Sequence, residues 1–252
     1  MSGTLYLIPN TLGSTDPADL GCVALQEVIP EEVQRLTARL TCFIAENAKT
    51  TRAFLKLVST AHPLARPLQE MVISELDVNT PEAALPGLLA PLLAGQDAGL
   101  ISEAGVPAVA DPGAGLVRLA HRHGITVRPM VGPSSLLLAV MASGLNGQSF
   151  AFNGYLPVDP IQRTKRLREL EIRSRHDAQT QLFIETPYRN RALLDAIIAT
   201  CHPATLVCIA TDLTLKSESI TTHPAAQWKK ELASGAGPAF QRRPTVFLFL
   251  AQ

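Results

Sequence analysis

The sequence predicts an α/β fold made of two α/β domains, and three observations lead to this prediction. Short apolar runs of strand length, such as Leu5-Tyr6-Leu7-Ile8, alternate with segments of helix length, an order typical of α/β proteins with largely parallel sheets. The alternation starts again after Gly132-Pro133. Hydrophobic residues make up 46% of the 252 residues, which is enough for a substantial core and excludes a disordered chain.

Local patterns place the elements of the first half. Apolar runs predict four strands, at 5–8, 42–45, 100–102 and 125–129. Segment 30–40 predicts a helix because its apolar residues recur on one side, with charges on the other. Segment 116–123 predicts a second helix, which Gly124 ends at a position where glycine is common.

The second half begins with a stretch that carries no charge between Arg128 and Asp159. Its continuous apolar part covers only 136–142, which is too short to cross a bilayer and predicts a buried helix. Further patterns predict helices at 161–175 and 190–200 and strands at 181–185, 206–210 and 246–250. We therefore expect domains at 1–131 and 132–252.

The charge balance excludes a protein that coats nucleic acid by bulk attraction. The chain has 22 basic and 22 acidic residues, whereas such proteins are clearly basic. The formal net charge of zero results from two opposite charges that cancel. Residues 1–131 hold 9 basic and 13 acidic residues, and residues 132–252 hold 13 basic and 9 acidic residues. The second domain could therefore face a polyanion although the first could not.

The cysteines indicate reduced thiols in a cytoplasmic protein rather than a metal site. Cys22, Cys42, Cys201 and Cys208 show neither a C-x-x-C spacing nor a histidine at zinc-finger spacing. The N-terminus lacks the basic and long apolar regions of a signal peptide. A P-loop, the G-x-G-x-x-G fingerprint, H-E-x-x-H and G-x-S-x-G are all missing from the sequence, which argues against several large enzyme classes.

Three loops rich in small residues follow predicted strands, and they are the candidate functional segments. They cover 8–13, 102–113 and 131–135. Each one alone is explained by turn chemistry. Because ligands of open α/β sheets bind outside the carboxyl ends of strands, the three together indicate a small-molecule site.

These loops and three further segments resemble the tetrapyrrole methylase superfamily, the class III S-adenosylmethionine-dependent methyltransferases. The similar branch is the family of the small-subunit ribosomal RNA cytidine 2′-O-methyltransferase. The matching segments occur in order along nearly the whole chain: Tyr6 to Gly13, Ser102 to Gly113, Gly132-Pro133-Ser134, Ala142 to Leu145, Phe152 to Pro157 and Glu185 to Arg189. The resemblance implies two α/β domains with a cofactor cleft between them, and a homodimer.

The sequence departs from this branch at positions that bear on the substrate. Where the branch has Glu-Asp-Thr-Arg, this chain has Glu46-Asn47-Ala48-Lys49, and Arg52 comes later. Where the branch has Arg-Glu-Leu-Thr-Lys after a late strand, this chain has Ala210-Thr211-Asp212-Leu213-Thr214-Leu215-Lys216, and the acid of the tetrapyrrole branch's Gly-Asp-Pro is replaced by Val106. The chain also lacks the C-terminal extension of many RNA-methylating members, so we expect a short paralogue.

The resemblance assigns residues to the cofactor, to the acceptor and to catalysis. For S-adenosylmethionine it implies Pro9, Gly105, Val106, Val109, Ser134, Ser135, Ile184, Asp212, Leu213, Pro244 and Thr245. A hydroxyl acceptor must lose its proton, and the candidate bases or orienting groups are Glu46, Glu103 and Glu185. For Glu46 and Glu103, capping of nearby amides is an equal alternative.

The resemblance assigns contacts with the acceptor to Tyr188 and Arg189. An equal alternative is that both side chains only lie at the surface of the start of a helix and bind no ligand. The basic helix adds Arg163, Lys165 and Arg166, which either bind phosphate or form a solvated face with spaced ion pairs. No residue is assigned to a metal.

Three hypotheses about function stay open at this point. The first is an S-adenosylmethionine-dependent methyltransferase of RNA, with a ribose 2′-hydroxyl of ribosomal RNA as acceptor by resemblance. The second is a methyltransferase of the same fold that acts on a small molecule or a protein side chain. The third is a catalytically silent protein that retains the cofactor site. In all three the chain is cytoplasmic and has no membrane span.

Overall fold

The computed structural model describes residues 2–13 and 24–252, and it confirms the predicted α/β class with two five-stranded sheets. The chain forms two compact units, Met1–Ser134 and Ser135–Gln252, whereas the sequence places the boundary after Val131. Cys22 lies outside the described residues, and Cys42, Cys201 and Cys208 are buried free thiols. Within these residues, no helix is long and apolar enough to span a membrane.

The first unit is built on a fully parallel sheet. Its strands are β1 (Thr4–Ile8), β2 (Cys42–Ala45), β3 (Val72–Glu75), β4 (Ala98–Ile101) and β5 (Thr126–Pro129). They are ordered β3-β2-β4-β1-β5, and every neighbouring pair is parallel. Helices cover both faces, so β2 and β4 are buried at every position, as expected for a sheet of this kind.

The helices of the first unit are α1 (Leu25–Val28), α2 (Glu31–Arg39), α3 (Ala48–Ala61), α4 (Leu85–Leu88), α5 (Ala90–Leu93) and α6 (Ala114–Arg122), with short 3-10 turns at Leu68–Glu70 and Glu82–Ala84. The helix α3 begins directly after β2 because Asn47 caps it. The Asn47 Oδ1 accepts hydrogen bonds from the backbone N–H groups of Lys49 and Thr50, which satisfies two free donors of the first turn.

The second unit corrects the prediction of largely parallel sheets. Its strands are β6 (Phe150–Tyr155), β7 (Thr180–Ile184), β8 (Leu206–Thr211), β9 (Ser219–Pro224) and β10 (Thr245–Leu250), ordered β6-β7-β10-β8-β9. Only β6 and β7 pair in parallel. The last strand inserts antiparallel between β7 and β8. The connection 212–218 is too short for a crossover, so β9 pairs antiparallel with β8.

The helices of the second unit are α7 (Ser135–Ser143), α8 (Pro160–Asp177), α9 (Asn190–Thr200) and α10 (Ala225–Ser234), with a 3-10 turn at Pro187–Arg189. Asp159 caps α8, since its Oδ1 accepts a hydrogen bond of 2.8 Å from the N–H of Gln162. One side of α8 packs into the core, and Leu167 and Leu170 are buried there with Phe183 and Phe249. The opposite side of α8 is exposed.

Candidate functional site

The three loops singled out in the sequence leave neighbouring strands at one edge of the first sheet. They follow β1, β4 and β5, and in the parallel sheet β1 lies between β4 and β5. The carboxyl ends of parallel strands meet at a common edge. The segment after β2 joins this edge, because β2 pairs with β4.

The side-chain amide of Asn10 connects the first loop to the second. Asn10 is 1% exposed, and its Nδ2 donates to the carbonyl oxygens of Ser102 at 3.1 Å and Glu103 at 3.0 Å. Its backbone N–H donates to Gly105 O at 2.8 Å, and its Oδ1 accepts from the N–H of Thr11 at 2.8 Å. Sequence analysis gave Asn10 no role, although a buried amide must find such partners.

Two glycines allow the backbones of the three loops to approach closely. Gly105 has a φ of +68°, and a Cβ added there would lie 3.1 Å from Leu12 Cδ2 and 3.6 Å from Pro133 O. At Gly132 an added Cβ would lie 2.3 Å from both Cβ and Cγ of Pro9, which is well inside van der Waals contact. The three loops therefore converge around Gly105.

The cofactor residues implied for the first unit all lie in these loops. Pro9 and Gly105 are buried, Val106 and Ser134 are half-buried, and Val109 is 46% exposed. The backbone of the second loop is strained, because Ala108 and Ala110 have φ angles of 66° and 65°. Non-glycine residues in this conformation concentrate at functional sites.

Three acidic residues lie in the segments that follow β2 and β4, namely Glu46, Glu103 and Asp111. The N–H of Glu103 donates to Glu46 Oε2 at 3.0 Å, so Glu46 does cap an amide, as one alternative proposed. Asp111 lies in the loop 102–113 and near enough to both glutamates for their charges to act on its carboxyl group. The pKa of Asp111 is raised to about 6, mainly because the carboxyl group is half-buried and further because of the charges of Glu46 and Glu103, while the Ser102 hydroxyl opposes the rise.

In the second unit, the remaining cofactor candidates meet at one edge of the second sheet. Ile184 ends β7, and its register partner is Val246 in β10. Thr245 begins β10 opposite Thr211, the last residue of β8. The antiparallel insertion of β10 therefore brings together Ile184, Asp212, Leu213, Pro244 and Thr245, whereas Ser135 begins α7.

Buried contacts fix the polar side chains of this edge. Asp212 is 6% exposed, has a φ of 52°, and its Oδ2 accepts from Ser217 Oγ at 2.7 Å and faces Arg243 Nη1 at 3.3 Å. The Thr245 hydroxyl is already bonded to Asn190 Nδ2 at 3.2 Å. Sequence analysis did not single out Asn190, a fully buried residue at the start of α9.

Glu185 is held by Arg189 rather than free in solvent. Its Oε1 accepts from Arg189 Nη2 at 2.6 Å and Nε at 2.9 Å and from the N–H of Thr186 at 2.7 Å. The Glu185 side chain is 0% exposed, and its Oε2 has no hydrogen-bond partner among the described residues. Tyr188 is 81% exposed. Arg189 is therefore engaged internally, whereas Tyr188 is available to a ligand.

The three basic residues of α8 that were assigned to the acceptor differ in how exposed their side chains are. Arg163 is only 9% exposed and donates to Val158 O at 3.5 Å. The prediction that Arg163 lies on a phosphate-binding surface is therefore wrong, because its side chain is buried. It occupies the same face as the buried Leu167 and Leu170. Lys165 is exposed, and Arg166 contacts Glu169 Oε2 at 3.3 Å and Asn153 Oδ1 at 3.4 Å.

The exposed side of α8 carries a shallow groove of about 520 Å³ with both basic and apolar residues. It is lined by Pro160, Ile161, Thr164, Lys165, Arg168, Glu169 and Ile172. Among all the described residues, no set of three or more histidine, cysteine, aspartate or glutamate side chains is arranged to hold a metal ion.

Curated proteins of one name are similar to this chain, although no protein-family model matches it. They are called ribosomal RNA small subunit methyltransferase I. The Xylella fastidiosa protein is 28% identical over 92% of this chain and 76% of its own length. The Streptococcus pyogenes serotype M3 protein is 31% identical over 84% of this chain and 66% of its own length. The Mesorhizobium japonicum protein is 41% identical over 54% of this chain and 45% of its own length. The chain thus spans between 45% and 76% of these relatives.

Solved structures with the same fold are also methyltransferases by name. The methyltransferase CobJ superposes with a TM-score of 0.61 at 18% identity and covers 99% of this chain and 95% of its own. Uroporphyrin-III-C-methyltransferase from Thermus thermophilus gives a TM-score of 0.53 at 19% identity, over 99% and 93%. At these identities the likeness establishes the fold.

The contact between Gly132 and Pro9 leads to a stability prediction. Gly132→Ala lowers the free energy of unfolding by about 1–3 kcal/mol, because the added methyl must displace the rigid Pro9 ring. Gly87→Ala in α4 is the matched control, since an added Cβ there meets nothing within 4 Å. We expect it to leave stability unchanged or to raise it by up to about 1 kcal/mol. Urea unfolding measures both, and equal effects would contradict the close approach.

The Asn10 amide leads to a second prediction. Asn10→Ala lowers the free energy of unfolding by about 1–3 kcal/mol, because the buried carbonyl oxygen of Ser102 and the partly buried one of Glu103 lose their donor. The exposed Asn79, which donates only to Asp77 at 3.3 Å, provides the control, and Asn79→Ala changes stability by less than about 0.5 kcal/mol. Denaturant unfolding is the measurement. A neutral Asn10→Ala would show that the loops are held together by other contacts.

Proposed function

Because the chain belongs to the tetrapyrrole methylase superfamily and is homologous to the ribosomal RNA small subunit methyltransferase I proteins, we propose that it methylates RNA with S-adenosylmethionine. The acceptor we propose is a ribose 2′-hydroxyl of ribosomal RNA. The observation that supports this function most directly is the convergence of the three loops at one edge of a parallel sheet, around Gly105 and the buried Asn10.

The residues at the two sheet edges fit S-adenosylmethionine by their chemistry. In the first unit Pro9, Gly105, Val106, Val109 and Ser134 offer apolar surface and accessible backbone. In the second unit the buried Glu185 Oε2, which has no partner among the described residues, is an acceptor suited to hydroxyl or amino donors. We assign the other contacts there to Ser135, Ile184, Asp212, Leu213, Pro244 and Thr245.

The protein's own part in such a reaction is mainly positioning. When bound, S-adenosylmethionine supplies an activated methyl group on a positively charged sulfur. Holding an acceptor oxygen in line with that group removes much of the barrier. An apolar surface favours the loss of the sulfonium charge, and the exposed Val109 supplies part of it. The carboxylates Glu46 and Glu103 lie beside these loops, where the acceptor proton must be removed.

The basic face of α8 is our proposed contact with the RNA backbone. Lys165 and Arg168 are exposed one helical turn apart, and Arg166 lies beside them. Phosphate contacts of this kind position a nucleic acid without reading its sequence. Tyr188, with 81% of its surface exposed, is placed to stack on an unpaired base. We also propose a cytoplasmic homodimer.

Cofactor binding and methyl transfer together test the proposed function. Titration calorimetry with S-adenosylmethionine gives saturable binding, whereas no heat at millimolar cofactor would contradict every methyltransferase hypothesis. Tritiated methyl groups are then offered with small-subunit ribosomal RNA from a strain that lacks this modification. We expect label in the RNA. Label found only in protein or in small molecules would contradict RNA as the substrate.

The RNA surface on α8 has its own test. Lys165→Ala with Arg168→Ala weakens RNA binding and reduces the slope of log affinity against log salt by about 1.4, because about 0.7 counterions are released per phosphate contact on a single strand. The matched control replaces Lys229 and Lys230, two exposed lysines on α10. Filter binding at several salt concentrations measures both variants. Equal losses for the two pairs would place the RNA elsewhere.

A further inference from the structure

We propose that Asn190 is a positioning residue of the cofactor site, because it fixes the segment 240–245 and so sets the affinity for S-adenosylmethionine. The inference rests on the proposed function, which assigns Pro244 and Thr245 of this segment to the cofactor. Since Asn190 is 0% exposed, it acts through the segment that it holds rather than by direct contact with a ligand.

The side-chain amide of Asn190 joins two parts of the second unit that are far apart in the sequence. Asn190 begins α9, directly after the 3-10 turn that follows β7. Its Nδ2 donates to Phe240 O at 3.1 Å, to Arg243 O at 2.9 Å and to Thr245 Oγ1 at 3.2 Å. One amide thus serves three acceptors, and all of them lie in the segment that leads into β10.

The segment 240–245 depends on such contacts for its shape. Residues 236–244 form neither helix nor strand, and Arg242 has a φ of 58°, a conformation that costs free energy in a residue other than glycine. The ring of Phe240 is buried and packs against Phe247, with the two ring centroids 6.1 Å apart. This contact anchors the first residue of the segment in the core, and polar contacts hold the rest.

Asp212 holds the same segment from its other side. The N–H of Asp212 donates to Pro244 O at 3.0 Å, and its Oδ2 faces Arg243 Nη1 at 3.3 Å. The strand β10 lies between β7 and β8, and Asn190 comes after β7 whereas Asp212 directly follows β8. The two residues therefore clamp the start of β10 from both sides and keep Pro244 and Thr245 in fixed positions.

The stability of the fold does not by itself explain an amide at position 190. The other buried residues of α9 are Leu193, Leu194 and Ile197, and the Asn190 Oδ1 has no hydrogen-bond partner in the part of the chain that the structure describes. A buried oxygen without a partner costs free energy, which a leucine at this position would avoid. We therefore attribute the amide to the donor role of its nitrogen atom.

The effect of this clamp on binding follows from preorganisation. A segment that is already ordered loses little conformational entropy when a ligand binds, whereas a loosened segment must first be ordered, which lowers the affinity. Once saturating cofactor has ordered the segment again, the bound complex reacts at its usual rate. Loss of the clamp therefore raises the KM for S-adenosylmethionine and leaves kcat nearly unchanged.

The primary variant, Asn190→Leu, replaces the amide by an apolar side chain of similar size. The three acceptors keep other partners in this variant. Phe240 O still accepts from the N–H of Arg243 at 3.1 Å, and Arg243 O from Thr245 Oγ1 at 3.1 Å. The Thr245 Oγ1 also lies 3.2 Å from Thr211 Oγ1. We therefore expect the variant to fold with a loosened segment.

Calorimetry and kinetics of methyl transfer to RNA measure the effect of Asn190→Leu. We expect the Kd and the KM for S-adenosylmethionine to rise about 10-fold, because the segment must be ordered on binding. At saturating cofactor, kcat stays within about 2-fold of the wild-type value. Unchanged Kd and KM, or a kcat that falls while both stay constant, would overturn the proposal even though the wild-type chain is a methyltransferase.

The matched control is Asn146→Ala, which removes another asparagine amide of the second unit, away from the cofactor candidates. Asn146 Nδ2 donates to Ala178 O at 2.6 Å. The backbone oxygen of Asn146 accepts from Oγ1 of Thr180, the first residue of β7, so Asn146 lies at the opposite end of this strand from Asn190. We expect the control to lower stability in urea but to leave the Kd for the cofactor unchanged. Equal rises of Kd in both variants would show a general loss of stability and overturn the positioning role.

A measurement on the wild-type chain keeps the proposal testable if Asn190→Leu does not fold. Hydrogen exchange without cofactor shows slow exchange of the amides of Asp212 and Arg243, which donate to Pro244 O and Phe240 O. Exchange of both amides at the rate of an unstructured peptide would contradict a fixed segment, whatever the protein methylates. If both are protected but the wild-type chain binds no cofactor, the proposed function fails and the positioning role fails with it.

Discussion

The hydrogen bonds of the Asn10 side chain are the constraint on which the candidate site in the first unit depends. A single buried amide donates to two carbonyl oxygens of the loop after β4, while its own backbone N–H reaches Gly105. Loops of this length are otherwise the mobile parts of an α/β protein. These hydrogen bonds between the two loops satisfy the polar groups that take part in them. The loops therefore keep their shape, and their backbone and small side chains can line a ligand site.

This arrangement explains why the site holds little charge apart from its carboxylates. Positioning requires fixed backbone, and the close approaches at Gly105 and Gly132 provide it. The strained residues Ala108 and Ala110 lie in the same loop, between Glu103 and Asp111. Three carboxylates repel a polyanion, so the basic residues of α8, in the other unit, are the natural contact for phosphates. The opposite charges of the two halves of the sequence thus have a structural counterpart.

The sequence predicted those parts of the fold that depend on apolar patterns. The strands β1 and β2 and the helix α9 lie where their apolar runs predicted them. The strands β3, β6 and β9 were missed because they are edge strands of mixed polarity, with no fully buried position. The antiparallel insertion of β10 is set by long-range pairing, which local periodicity does not encode. Charge counting equally missed that Arg163 faces the core, because its helical position matters more than its type.

Hydrogen exchange with and without S-adenosylmethionine tests the central claim most directly, namely that the joined loops of the first unit bind the cofactor. The backbone amides of residues 10–13 and of the non-proline residues of 102–113 are followed by mass spectrometry, with the exposed side of α8 as internal reference. The account predicts that saturating cofactor slows exchange in both loops together and leaves the α8 segment unchanged. Binding that is detected by calorimetry but leaves both loops exchanging at their original rates would contradict it.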